Sequence, residues 1–408
     1  MATKQRKVFE GVKVLEMGSG AAGPVTTRYF ADQGATVVKV ESRVRPDFLR
    51  VYPPHKDNQS SNLDAAIFFS LLNPDKLSVS INLQTAKGVD LVKRLVTWAD
   101  VVRENFSPGT LQKFGLHYDE LKKVKPEIIM ISGCLQGQYG PHKDYPGFGG
   151  QGSALSGFNY WAGWPDREAV GPHATITDYF CPRLVASAII SAMLFKRRTG
   201  KGMYLDFSQI ESAVVALSYP VLEYTANGRV MPRLGNRSRF AAPHGAFPCK
   251  GQDRWVAIAV YTDGEWQRLR EVMGNPAWSA APQFDTVVGR LENVDELEQR
   301  MADWTRGYTA EKVMEMCQAA KVYSGVVQDV EDVVKDPQHA ARGFYTTLDH
   351  SVIGPLPYYN LAFKLSKSPR TIESPSPLLG QHNSLVLKEF LGMTDAEIAA
   401  LASEGVLS

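Results

Sequence analysis

Apolar residues along this chain keep two rhythms. In the first third, short continuous apolar runs alternate with stretches of helical, 3.6-residue period. "GVKVLEMG" (11–18) and "ATVVKVE" (35–41) read as strands, and "AGPVTTRYFADQG" between them as a helix that stops at Gly34. Strand, helix and strand within about thirty residues make a βαβ unit, which implies a parallel sheet and a right-handed crossover. The alternation continues with "AKGVDLVKRLVTWA" (helix), "DVVREN" (extended), "LQKFGLHYDELKKV" (helix) and "PEIIMISG" (buried strand). Residues 1–135 therefore read as α/β.

The texture then changes. "GFGGQGSALSGFNYWAGWP" is rich in glycine and aromatics, the composition of a loop that lines a site. "RLVASAIISAMLFKRR" returns to helical spacing, with Val185, Ala188, Ile189, Ala192 and Met193 on one face and Gly200 and Gly202 ending it. From about residue 229 to 340 a second domain follows: a hairpin in "GAFPCKGQDRWVAIAVY" with its turn at Gly251 to Asp253, then amphipathic helices in "DGEWQRLREVMG", "NVDELEQRMADWTRG" and "TAEKVMEMCQAAK". The expected divisions are 1–228, 229–340 and 341–408.

Bulk numbers narrow the class. A chain of 408 residues with 44% apolar content exceeds one ordinary core, so two domains, or one large domain with an insertion, are expected. Basic and acidic residues number 45 and 43, a net +2, which points to no nucleic-acid or polybasic membrane surface. Cys134, Cys181, Cys249 and Cys317 form no C-x-x-C pair, so neither a zinc site nor a disulfide framework is expected, and a reducing cytoplasm fits. The N-terminus lacks an apolar secretory core, and "LVASAIISAMLF" is too short to span a bilayer, so a soluble protein is expected.

"GSGAAG" (Gly18 to Gly23) is a literal G-x-G-x-x-G between a strand and a helix, and Glu41 ends the next strand. On local rules this is a nicotinamide-dinucleotide fingerprint, with pyrophosphate at the helix N-terminus and Glu41 on a ribose. The other reading is a tight βα turn whose glycines serve backbone geometry alone.

Seven segments, in order and spread over nearly the whole chain, resemble the class III CoA-transferases, the family of formyl-CoA transferase and the carnitine and bile-acid CoA-transferases. They are "GVKVLEMGSGAAGPVTTRYFADQGATVVKVE", "LLNPDKLSVSINLQTAKG", "ENFSPGTLQKFGLHYDEL", "TDYFCPRLVASAII", "RRTGKGMYLDFSQIES", "DPQHAARGFY" and "PSPLLGQHN". The resemblance implies a Rossmann-like large domain built from both chain ends, a smaller inserted α+β domain, and an interlocked dimer. It makes the first βα turn part of a CoA site, leaving an NAD-dependent oxidoreductase as the alternative. It implies no metal and no resident cofactor beyond the CoA of the substrate.

CoA exchange between two acids is slow in water because a free carboxylate attacks a thioester poorly, and a covalent intermediate divides the step. A protein carboxylate attacks the acyl-CoA to give a mixed anhydride, then takes the CoA as an aspartyl-CoA thioester. Asp178 matches the family's catalytic aspartate. Alone, an Asp before a helix reads as an N-cap. Pro182 tells against that, since it would fall at the fourth helical position, where a backbone N–H is needed. The helix is therefore expected to begin near Cys181, with Asp178 in the turn before it and its pKa lowered by the helix end.

The resemblance also places Asn105 and Phe106 at the adenine of CoA, Lys113 toward its phosphates with Phe114 beside it, Ala21 and Ala22 against its backbone, and Gln136 near the reacting carbonyl as an oxyanion donor. Arg43 and Lys76 are further phosphate candidates. Each has a plainer reading as a packed ring, a loop hydrogen bond or a solvated charge. The glycine run that covers the aspartate in formyl-CoA transferase is missing from "GNRSRFAAPHGAF". A related racemase needs a His where this chain has Phe148, and His142 and His173 lie off register, which disfavours racemisation. The aromatic run Phe158, Tyr160, Trp161 and Trp164 resembles the branch acting on aryl acids such as benzylsuccinate or phenyllactate, with succinyl-CoA as donor; the run reads equally as a packed interface. Some relatives of that branch are heteromers in which one subunit keeps the aspartate, so homodimer, active subunit and CoA-binding structural subunit all stand as expectations.

Overall fold

The structure, a computed structural model, describes residues 7–171, 175–368 and 372–408. The chain divides into two compact units: one of residues 1–158, 171–228 and 340–408, the other of 159–170 and 229–339.

The first unit is built on six parallel strands: β1 (Lys13–Met17), β2 (Thr36–Glu41), β3 (Leu77–Ser80), β4 (Val101–Glu104), β5 (Ile129–Cys134) and β6 (Met203–Ser208), in the order β3-β2-β1-β4-β5-β6. A parallel sheet is covered on both faces, which is why its strands read as near-continuous apolar runs. Leu15, Met17, Val38, Val102 and Met130 pack on one face with Leu91, Val92 and Leu95 of the Ala86–Trp98 helix and with Val386 and Leu387 near the C-terminus. Val14, Val37, Val101, Ile129 and Ile131 pack on the other with Phe30, Val185, Ile189 and Ala192. Both chain ends thus complete one core, as His382 N–H to Ser78 O (2.9 Å) and Asn82 N–H to Val406 O (2.8 Å) also show.

The Ile176–Thr199 helix corrects two expectations. It begins five residues before Cys181, and Pro182 lies inside it. It is also, by length and composition, the one helix among the described residues that could cross a membrane (mean hydropathy 1.3), where "LVASAIISAMLF" alone is too short. One face of it packs on the core: Cys181, Val185, Ala186, Ile189 and Ala192 are buried, four of them in the cluster that covers the sheet.

The second unit holds an antiparallel sheet of β7 (His244–Pro248), β8 (Trp255–Ala259) and β9 (Tyr323–Val326), with β7 and β8 forming the expected hairpin. Its core is Phe247, Val256, Ile258, Trp266, Leu269, Phe284, Leu297 and Met301. Residues 159–170, read from sequence as part of 1–228, join this unit through Arg233, whose guanidinium donates to the carbonyls of Tyr160 (3.0 Å), Trp164 and Arg167 (both 3.3 Å). A final hairpin, β10 (Tyr345–His350) with β11 (Gly354–Tyr359), belongs to the first unit.

Candidate active site

In an open parallel sheet, ligands bind beyond the carboxyl ends of the strands where the strand order reverses. Here the reversal falls between β1 and β4. The GSGAAG turn leaves β1, "ENFSPG" leaves β4, and Asn105 joins them: Ser19 N–H donates to Asn105 Oδ1 (3.2 Å) and Asn105 Nδ2–H to Ser19 O (2.6 Å). Gly18 has φ 144° and its missing Cβ would lie 1.9 Å from Asn105 Oδ1, so only glycine fits.

The donors of this turn already hold an anion of the chain itself. The Asp47 carboxylate accepts from Gly20 N–H (3.0 Å), Ser19 Oγ–H (3.2 Å) and Leu49 N–H (2.9 Å), and pairs with Lys39 (2.9 Å). Glu41, the candidate ribose acid, is buried and binds Arg50 through both oxygens (2.6 and 2.9 Å) and Ser78 Oγ–H (2.8 Å). The two groups a dinucleotide would need are both committed, and the NAD reading is corrected on that ground.

The expected CoA residues divide in two. Ala21 and Ala22, buried at the head of the Ala22–Ala31 helix, and Asn105 and Phe106 stand at the reversal point. Phe106 and Phe114 are half-buried against the core under the sheet, and Lys113 is exposed at the end of the Thr110–Lys113 helix. Arg43, exposed, follows β2 and reaches Leu379 O (3.5 Å). Two assignments change. The Asn105 carboxamide clamps Ser19, so it tethers the loop rather than standing free for a purine. Lys76 is no surface phosphate ligand: its ammonium is buried and donates to Glu16 Oε2 (2.8 Å), Pro24 O (3.0 Å) and Asn73 Oδ1 (2.9 Å), which uses all three N–H bonds.

Asp178 is the third residue of its helix, after the N-cap Thr175. Pro182, four residues on, has no N–H for the Asp178 carbonyl, so the first turn departs from a regular ladder at the acid. Gln209 Nε2–H donates to Asp178 Oδ1 (3.2 Å), and the Thr175 hydroxyl also bonds the carboxylate. Burial raises the Asp178 pKa, and these two hydrogen bonds oppose it. The direction is the reverse of that expected from the helix end.

Gln209 was not singled out from sequence. It opens the Gln209–Ala216 helix, whose N-cap Ser208 accepts from Glu211 N–H (3.2 Å), and it is buried. Only the N-cap serine in "DFSQIES" hinted at a helix start there. Gln136 sits in the turn after β5 beside Leu135, whose carbonyl takes Ile210 N–H (3.1 Å), so this turn is pinned to the Gln209 helix. Among the described residues, the side-chain amide on the Asp178 carboxylate is that of Gln209. His142 is exposed and its ring lies tilted against Tyr145 (4.6 Å, 40°), while His173 lies outside the described residues.

Gly149 completes the site. A Cβ there would lie 2.5 Å from both Asp178 Oδ2 and Thr175 Cβ. Gly149→Ala is expected to displace the carboxylate and lower kcat by roughly 100-fold, because misplacing a reacting group by about 1 Å costs that much. Steady-state kinetics with a CoA-binding titration on the same variant checks it; unchanged kcat would show that the carboxylate has slack.

A parallel-sheet switch point whose turn donors and Glu41 are held within the chain, and a half-buried aspartate in the same unit, define an α/β protein with a carboxylate site. The model for CoA-transferase family III matches residues 9–383, and the chain belongs to that family. It is similar to the succinyl-CoA–D-citramalate CoA-transferase of Chloroflexus aurantiacus, 32% identical over 399 residues and 98% of each chain. It is also similar to the succinyl-CoA–L-malate CoA-transferase beta subunit of that organism, 33% identical over 400 residues and 97% of each. The crystal structure of a CAIB/BAIF family protein from Brucella suis superposes with a TM-score of 0.86 at 29% identity, covering 95% of this chain and 100% of that one.

Proposed function

We propose that this CoA-transferase moves CoA from succinyl-CoA to a free carboxylic acid through a mixed anhydride and an aspartyl-CoA thioester on Asp178, with Gln136 at the reacting carbonyl. The carrying observation is the Asp178 carboxylate: desolvated, held on Oδ1 by Gln209, and with Oδ2 against Gly149, where no side chain crowds it. CoA would lie across the β1 and β4 ends, against Ala21, Ala22, Asn105, Phe106 and Phe114, with Arg43 and Lys113 toward its phosphates. Succinyl-CoA is the donor in the names of the relatives.

To test this, the protein is incubated with succinyl-CoA alone, treated with borohydride and digested. Peptide mass spectrometry is expected to find Asp178 as the alcohol. An unmodified Asp178 in protein that turns over removes the assignment; no adduct and no turnover favour a CoA-binding structural subunit.

For the acceptor, the finer reading is an aryl acid of the benzylsuccinate kind. Next to Gly149, Phe148 is 70% exposed and stacks on Phe48 (5.5 Å, 18°), which meets Tyr52 (5.1 Å). Such rings suit a phenyl group. The relatives' names give citramalate and malate instead, so kcat/KM for benzylsuccinate against those two acids decides the matter. A second subunit, identical or related, is the proposed partner: Leu184, Leu194, Phe195, Val215, Leu222 and Tyr224 are exposed on consecutive helices of the first unit. Native mass spectrometry reads its stoichiometry. The proposed compartment is the cytoplasm, in keeping with four cysteines that are all free and buried.

A further inference from the structure

We propose that Gln209 is a catalytic residue: its Nε2–H is the oxyanion donor for the Asp178 carbonyl itself, in the step that forms the aspartyl-CoA thioester. This rests on the assignment of Asp178 as the nucleophile.

Gln209 is fixed at both ends. Its carbonyl accepts from Cys181 Sγ–H (3.2 Å) and Ser212 Oγ–H (2.8 Å), and its side-chain amide reaches Asp178 Oδ1 (3.2 Å). Ser212 Oγ also lies 2.7 Å from Cys181 Sγ, its single O–H shared between that sulfur and the Gln209 carbonyl, and Ile210 N–H donates to Leu135 O (3.1 Å). Main chain and side chain of one residue therefore meet the catalytic helix at positions 178 and 181, one turn apart, so the backbone that carries the amide is fixed beside Asp178.

The two carboxylate oxygens are then unlike. Oδ1 carries the amide; Oδ2 faces the α-carbon of Gly149. Oδ2 attacks the acyl carbon, the C–S bond breaks, and CoA leaves as thiolate with the electron pair. In the anhydride, Oδ2 bridges the two acyl groups and Oδ1 is the carbonyl oxygen of Asp178. The thiolate next attacks Asp178 Cγ, and negative charge develops on Oδ1, the atom that Gln209 already holds. Charge collapse breaks Cγ–Oδ2, so the donor acid departs as a carboxylate carrying Oδ2, and Asp178 is left as the CoA thioester. The return half reverses these bonds with the acceptor's oxygen in place of Oδ2. A donor placed where charge develops in the transition state, in a water-poor site, is worth roughly 100- to 1,000-fold in rate.

Gln209→Met keeps length and removes the donor. Rapid-quench intact-mass measurement after mixing with succinyl-CoA is expected to show the covalent CoA adduct forming roughly 100- to 1,000-fold more slowly than in the wild type. The Kd for CoA and the melting temperature are expected to stay unchanged. Adduct formation at the wild-type rate overturns the inference, and so does a rate loss matched by lost CoA affinity or stability, which marks a packing role. No adduct in the wild type overturns the Asp178 assignment together with it, whereas a normal adduct in Gln209→Met removes Gln209 alone.

Discussion

Asp178→Ala is expected to leave a folded, CoA-binding protein with turnover lower by about 10⁴-fold or more, the scale on which enzymes lose activity with their nucleophile. CoA affinity survives because none of the proposed CoA contacts, on the GSGAAG and ENFSPG loops and at Arg43, Lys113 and Phe114, is Asp178. The wild-type pH profile carries the same assignment. Burial raises the Asp178 pKa against the hydrogen bonds from Thr175 and Gln209. The carboxylate therefore takes up its proton at a higher pH than an exposed aspartate, and kcat/KM is expected to fall as pH drops through that raised value. An acid limb at or below the ordinary aspartate range would contradict a desolvated nucleophile. Measuring CoA binding and kcat/KM across pH on both proteins checks the two expectations together.

The strands were legible because a parallel sheet buries both faces, and "KVLEM" and "TVVKVE" are apolar enough to show it. What failed was long-range chemistry. GSGAAG satisfies every local rule for a pyrophosphate turn, yet the anion on it is Asp47, which a motif cannot announce. Lys76 reads as surface charge in "NPDKLS" because its partner Glu16 lies sixty residues away. Pro182 suggested a helix start at Cys181. The helix begins at Ile176 because the proline, at its seventh position, forfeits one bond, to the Asp178 carbonyl, while burial of Thr177, Cys181 and Val185 holds the turn. Gln209 is a polar residue at a helix start, and only folding brings it to Asp178.

Glu16→Gln is expected to cost about 3–5 kcal/mol, the usual result of removing one partner from a buried ion pair. Glu16 and both lysines around it are fully buried: Lys39 lies 3.0 Å from Oε1 and Lys76 2.8 Å from Oε2. Burial works against the Glu16 charge, but the two ammonium groups and the hydrogen bonds of Lys76 and Thr27 hold its pKa down at about 2. Lys39 keeps Asp47 in the variant, so the loss falls on Lys76. That lysine is already pushed down to about 8 by burial, with Glu16 the main opposing influence. Without the carboxylate it is expected to be neutral at pH 7. Because the Glu16 pKa is lower in the folded state than the 4.5 of a free side chain, its contribution is complete above that value and disappears as pH falls toward about 2. The wild type and Glu16→Gln should therefore differ widely in urea midpoint at pH 7 and converge on acidification. The melting temperature at pH 7 should drop by on the order of 10 °C. A variant as stable as the wild type at pH 7 would mean that the sheet tolerates the loss of the Glu16 carboxylate beneath the GSGAAG turn, and that this network does not fix the loop from which the site is built.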